Sequence, residues 1–201
     1  MRIVCDAATG KGWYAGCDGY LRSEGTVGNT LSSYLLEDHA RLDALLLKSV
    51  ADPAHFDHEA FESFRSGLLR HIGIEEKLLL PAARKQNGGK PLALAHALHV
   101  EHAALASLMV PTPDAALVDE IRRLLTRHNP REEGPEGLYA ICESLLGSET
   151  VTLLERAKAM PAVRTAPHFD GPAAHRTAES ALRSAERAFG QKEISQEGKQ
   201  G

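Results

Sequence analysis

The hydrophobic positions of this chain recur at spacings of three and four over four successive segments. That is the period of helices with one face turned inward. Leu31, Leu35, Leu42 and Leu46 mark the first stripe, with Thr30 or Ser32 as its cap. Asp52-Pro53 then stops the helix at about residue 51. The second helix is expected from about Asp57 to about Gln86, on Phe61, Phe64, Leu68, Leu78 and Ala82. Pro81 should bend it, and Asn87-Gly88-Gly89 closes it. A third helix follows Lys90-Pro91 and runs to about Val110 on Leu92, Ala95, Ala106 and Met109. After Pro111-Thr112-Pro113, Asp114 caps a fourth on Leu117, Ile121 and Leu124. Pro130 and Pro135 disturb its end, so it either kinks there or divides. Residues 137–146 resume a helical pattern, and residues 148–159 add a short helix. No alternation of period two is long enough for a strand. The expected fold is all-α, an up-down-up-down four-helix bundle with short links.

Three regions follow from composition. Residues 1–28 are rich in Gly and small polar residues without a helical period, and read as a flexible extension. Residues 29–160 carry the bundle. From Pro161 the chain shifts to Ala, Arg, Ser and Pro, with an Ala-rich helix expected at 173–189 and a polar, disordered end at 190–201.

The apolar stripes are interrupted by groups that do not belong in a bare core. His71 and Glu75 lie one turn apart on the second stripe, and His128 and Glu132 one turn apart on the fourth. His39 falls on the first stripe, and His99 and His102 on the third. Seven of the ten histidines lie between His39 and His102. Acid groups rarely face a core unless they are paired or bound to a cation. Neutral imidazoles each offer one nitrogen, and a carboxylate can bridge two cations about 3.5–4 Å apart. A nitrogen-rich, carboxylate-bridged set suits iron better than manganese or zinc. Either pair alone could be an i,i+4 contact worth about 0.2–0.5 kcal/mol. Four successive helices sharing the pattern argue for a common site.

Charge and cysteine content narrow the classes. The chain has 23 Lys and Arg against 27 Asp and Glu, a net charge of −4. That balance argues against nucleic-acid or anionic-membrane partners. No apolar run approaches the roughly 20 residues that span a bilayer, and residues 1–10 lack the apolar stretch of a secretory signal. Cys5, Cys17 and Cys142 form no disulfide framework, so a cytoplasmic setting is expected.

These residues resemble the hemerythrin-like proteins of the HHE cation-binding family. The resemblance rests on Leu36-Glu37-Asp38-His39 with Leu42, on His71-x-x-x-Glu75-Glu76 followed by Leu79-Leu80-Pro81, on Glu101-His102, and on His128-Asn129-Pro130-Arg131-Glu132-Glu133 followed by Leu138-Tyr139. It covers about residues 29–147. It implies a non-haem centre of two iron ions, with His39, His71, His102 and His128 as terminal ligands and Glu75 and Glu132 as bridges. Oxygen-carrying hemerythrins place two histidines four apart on the third helix and an Asp five after the last His. Here His99 and His102 are three apart, and Glu132 is four after His128. His99 is the candidate fifth histidine ligand. Without it one iron keeps an extra open position, which favours reaction with a bound oxidant over reversible carriage.

Glu76, Glu133 and Asp43 are read as solvated surface charges. His96 and the His55/His58 pair are given no role, and His168 and His175 are read as exposed. Phe61 and Phe64 serve equally as core and as lining of the site. The leading functional expectation is binding or sensing of dioxygen or a related small ligand, nitric oxide or peroxide. The alternatives are a di-iron enzyme acting on peroxide or nitric oxide, an iron donor for repair of iron centres, a metal-free interaction bundle, and a zinc-only site. Repair proteins of this type usually carry an N-terminal cysteine-bearing domain, which the spacing of Cys5 and Cys17 does not suggest.

Overall fold

The computed structural model describes the backbone of residues 30–197 and the side chains of residues 30–190. The extension expected at 1–28 lies outside the described residues. Helix α1 spans Leu31–Ser49. Thr30 caps it: its hydroxyl accepts from the Ser33 N–H, and its own N–H donates to the Ser33 hydroxyl. Helix α2, His58–Ile74, starts where Asp57 accepts from the Ala60 N–H at 2.9 Å. It continues through a π-helical turn, Glu75–Leu79, into α3, Leu80–Gln86. Helix α4 covers Ala95–Leu108, and α5, Ala115–Glu133, is capped by Asp114. Three further helices follow: α6 (Leu138–Leu146), α7 (Glu149–Lys158) and α8 (Ala178–Glu197). The described residues contain no strand, only an isolated bridge between Asp52 and His55. Among them, no helix is long and apolar enough to cross a membrane.

Both prolines act differently from a simple break. Helix α5 stays continuous through Pro130 and ends at Gly134, so it does not divide. Pro81 sits in the first turn of α3, just past the π turn. Its ring would press on the carbonyl four residues back in a regular helix. The wider turn, in which the Leu80 N–H reaches the Glu75 carbonyl, takes up that misfit.

Two apolar clusters form the core. One gathers Leu42, Leu46, Phe61, Phe64, Leu68, Leu105, Leu108, Leu117, Ile121 and Leu124. The other gathers Leu31, Leu35, Ile74, Leu79, Leu98, Leu138 and Leu154. Each fully buried Leu or Phe contributes about 1.5–3 kcal/mol. The histidines fall where the stripes cross between the clusters: His39 between Leu35 and Leu42, and His102 between Leu98 and Leu105. The interior therefore has an apolar layer on each side of a polar one.

The C-terminal part is more ordered than its composition suggests. Arg65 Nη2, Ser66 Oγ and Arg70 Nε donate to the carbonyls of Ala166, Val163 and Met160 at 2.7–2.9 Å. They pin an extended segment along α2. Helix α8 begins later than the expected residue 173 and runs on to Glu197, with Ala178, Ala181 and Ala185 buried in the first cluster. His168 is not free in solvent, because its Nε2 lies 2.6 Å from Glu62. His175 is half-buried.

Candidate metal centre

Four helices and the π turn bring six of the predicted residues into the polar layer. His39 comes from α1, His71 from α2, Glu75 from the π turn, His102 from α4, and His128 and Glu132 from α5. Glu75 and Glu132 are fully buried, and His71, His102 and His128 nearly so. Glu75 opens the π turn one turn after His71, with His71 Nε2 3.3 Å from its Oε1.

The six residues assemble into two donor groups. His39, His71, Glu75 and Glu132 form one, and His102, His128 and Glu132 form the other. Glu132 belongs to both, and Glu75 of the first reaches toward His102 of the second. Glu132 Oε1 lies 3.0 Å from Nε2 of His102 and of His128, while its Oε2 lies 3.4 Å from Nε2 of His39. Glu75 Oε1 faces His71, and its Oε2 is 3.2 Å from Nε2 of His102.

A carboxylate stands behind every one of the four imidazoles. His39 Nδ1 is 2.6 Å from Glu133, His71 Nδ1 2.9 Å from Asp38, His102 Nδ1 2.7 Å from Glu76, and His128 Nδ1 3.1 Å from Glu101. Ionised carboxylates only accept, so each Nδ1 carries a proton and each Nε2 points inward, where losing its own proton would free a lone pair for a cation. This arrangement orients histidine ligands and raises their basicity in metal sites. Arg41 in turn holds Asp38 at 2.7 Å, and Arg131 holds Glu101 at 3.1 Å.

Titration behaviour follows from the same contacts. Burial works to lower His71, but the charge of Glu75 and the bond to Asp38 outweigh it and raise His71 to about 10. Burial likewise opposes His128, yet the bonds to Glu101 and Glu132 lift it to about 9. His102 is held well above the usual range, against burial, by Glu132, Glu75 and Glu76. Burial pushes Glu132 up, but three histidine partners bring it well below the usual carboxylate value.

The donor set fits a cation. Oε2 of Glu75 and Oε2 of Glu132 are buried and have no hydrogen-bond partner. The imidazole nitrogens 3.2 and 3.4 Å away face them outside hydrogen-bond geometry. A buried carboxylate oxygen without a partner is costly, and a cation would supply one. A cavity of about 510 Å³ reaches the layer between α1, α2 and α5. Its inner wall includes Phe64, Leu68, His71 and His128, and its outer wall Asp43, Arg122 and Thr126.

His99 does not join the donor groups. Three residues before His102, it is turned about 60° away around the helix. Its Nδ1 meets Glu76 at 2.8 Å, and its ring stacks on Phe189 of α8 at 5.9 Å. Glu76 and Glu133 are not mere surface charges, since both hold imidazoles of the site. Asp43 is exposed as expected. His55 and His58 are exposed near the α1–α2 turn, and His96 meets Glu186 at 3.3 Å. Phe64 lines the cavity, whereas Phe61 belongs to the core.

Three residues of the layer escaped sequence reasoning. Asp38 falls on the buried register Leu31, Leu35, Asp38, Leu42, and Glu101 on Leu98, Glu101, Leu105. Each hid beside a more conspicuous histidine. Tyr139 of α6 is 3 % exposed, and its hydroxyl donates to Glu75 Oε1 at 2.8 Å. It also lies 3.2 Å from Nε2 of His39 and of His71.

A family model described as the hemerythrin HHE cation binding domain matches residues 30–137, more than half of the chain. The chain belongs to the hemerythrin HHE cation-binding family. The match covers all six residues of the two donor groups. It stops short of Tyr139, α7 and α8. No curated protein and no solved structure matches the chain. Membership in a cation-binding family and the buried His/Glu cluster agree on a domain able to hold metal.

Proposed function

We propose that this hemerythrin-family domain is a non-haem di-iron protein that binds or senses dioxygen or a related small ligand, nitric oxide or peroxide. One observation carries the reading: each buried carboxylate divides its two oxygens between the two donor groups. A bridge between two cations needs that division, and a single-cation site does not. His39, His71, His102 and His128 would serve as terminal ligands, with Glu75 and Glu132 as bridges. The four imidazoles and two carboxylates favour iron over manganese or zinc. We take the helices carrying them to run up-down-up-down, and the protein to work in the cytoplasm.

When bound, two ferrous ions supply a pair of electrons to a small oxidising ligand. The chain does the rest. Asp38, Glu76, Glu101 and Glu133 fix the imidazole tautomers and orientations. Phe64, Leu68 and Ile72 give the cavity an apolar wall that limits water next to His39 and His71. Addition of dioxygen and, separately, of nitric oxide to the ferrous protein, followed by its visible and infrared spectra, tests the reading. An unchanged spectrum would reject it.

Enzymatic turnover of peroxide or nitric oxide is favoured by a separate observation. With His99 on Glu76, four histidines rather than five face the centre. A position therefore stays available to a reacting molecule. Peroxide consumption by the iron-loaded protein separates this from carriage or sensing.

A further inference from the structure

We infer that the phenol oxygen of Tyr139 is a further metal donor, on the side of the centre formed by His39, His71 and Glu75. The inference rests on the metal-binding reading above but goes beyond it. Neither the family match, which ends at residue 137, nor the pattern of His/Glu pairs includes Tyr139.

Local structure brings the residue there by a close turn. The chain leaves α5 at Gly134 and reverses at Gly137, where an added Cβ would lie 2.6 Å from the Glu132 carbonyl oxygen. That tight approach sets the first turn of α6 directly against the C-terminus of α5. Leu138 and Tyr139 then enter the core, and the hydroxyl reaches the polar layer.

Three residues of the site converge on that hydroxyl. The Nδ1 atoms of His39 and His71 are committed as donors to Glu133 and Asp38. Their Nε2 atoms point at the hydroxyl and, in the neutral form that binds a cation, present lone pairs, as does Oε1 of Glu75. Tyr139 meets all three at 3.2, 3.2 and 2.8 Å, but has one proton to give. One bond, to Glu75, uses it. With both imidazoles neutral, as cation binding requires, lone pairs on the phenol oxygen, two imidazoles and a carboxylate point into one space.

A cation resolves that convergence. At metal–ligand bonds of about 2.1 Å, neighbouring ligands at right angles lie about 3.0 Å apart. The contacts among Tyr139, His39, His71 and Glu75 run from 2.8 to 3.3 Å, as ligands of one ion would. On binding, the phenol O–H bond breaks, its proton leaves to solvent, and the oxygen bonds the cation. No electron is transferred in the step. Tyr139 thus stands as a donor on this side, while His99 is engaged elsewhere.

The test uses the full chain loaded anaerobically with ferrous ammonium sulfate and then oxidised in air. Metal content is measured on the same sample. A ferric ion bound to phenolate absorbs in the visible, and resonance Raman excitation within that band enhances tyrosine ring modes. We expect both signals in the unmodified protein. Tyr139→Phe should lose them completely while keeping its iron content and helical circular dichroism, and Tyr34→Phe should keep them. Iron-loaded ferric protein without ring modes would overturn the inference while leaving the di-iron reading intact. Ring modes that persist in Tyr139→Phe would do the same. Protein that takes up no iron would defeat the di-iron reading and this inference with it. Should Tyr139→Phe fail to fold, the Raman spectrum of the unmodified protein decides alone.

Discussion

Replacing Glu132 with glutamine keeps the size of the side chain and removes its ability to bridge. Glu132 is fully buried, with Oε1 3.0 Å from His102 and His128 and Oε2 3.4 Å from His39. An amide offers one carbonyl oxygen and a donor group in place of two anionic oxygens. Chelated Glu132→Gln should already be less stable by roughly 3–5 kcal/mol, because three histidines lose a shared buried partner. The diagnostic quantity is therefore the change on loading, taken within each protein. A cation held 100-fold above its dissociation constant stabilises the native state by about 2.7 kcal/mol. In a domain of this size each kcal/mol moves the melting temperature by about 2–4 °C. Ferrous iron should raise the melting point of the unmodified protein by about 5–11 °C and that of Glu132→Gln by close to zero. Differential scanning calorimetry under anaerobic conditions, with and without iron, reads both. An equal rise in the two proteins would refute the bridging role. No rise in either would support a bundle whose polar layer is purely structural.

Further outcomes follow from the partners of the site. Asp38→Asn leaves His71 in place but weakens the group behind Nδ1, so iron affinity should fall about 10–100-fold in a competition titration with a chelator. Affinity unchanged would deny Asp38 an orienting role. His71 and His128, raised to about 10 and about 9, add stability that is complete below their unfolded value and lost as pH climbs through those figures. Chelated protein should therefore melt at lower temperature as pH rises from 7 to 10, while iron binding tightens over the same window and releases protons. Calorimetry in two buffers of different ionisation enthalpy measures the release, and a melting point that climbs with pH would contradict the assignment. Gly137→Ala would drive a methyl into the Glu132 carbonyl and should cost about 1–3 kcal/mol, read as a lower urea midpoint.

Most of the helices and the six residues of the candidate centre are legible in sequence because each His or Glu occupies a position that the 3–4 period reserves for the core. Thr30, Asp57 and Asp114 mark the helix starts for the same reason, since side-chain oxygens satisfy free N–H groups there. The outer carboxylates were harder to read. Glu76 and Glu133 sit one residue off the stripe, where a pattern alone predicts solvent. Only the packing of α4 on the π turn, and of α1 on α5, reveals that imidazoles reach them. Tyr139 was hidden differently: Leu138 and Tyr139 look like ordinary core residues, and the hydroxyl acquires meaning only beside His39, His71 and Glu75. Pro130 shows the converse. It suggests a broken helix, yet α5 holds through it and keeps His128 and Glu132 one turn apart. His99 shares the third stripe with His102, but its angular offset delivers it to Glu76 and Phe189.

The central claim is that two buried carboxylates bridge two iron ions, and counting metal tests it most directly. Elemental analysis of anaerobically purified protein, normalised to chain concentration, should give close to two irons per chain. A single metal per chain, or none after reconstitution with ferrous iron, would contradict the account.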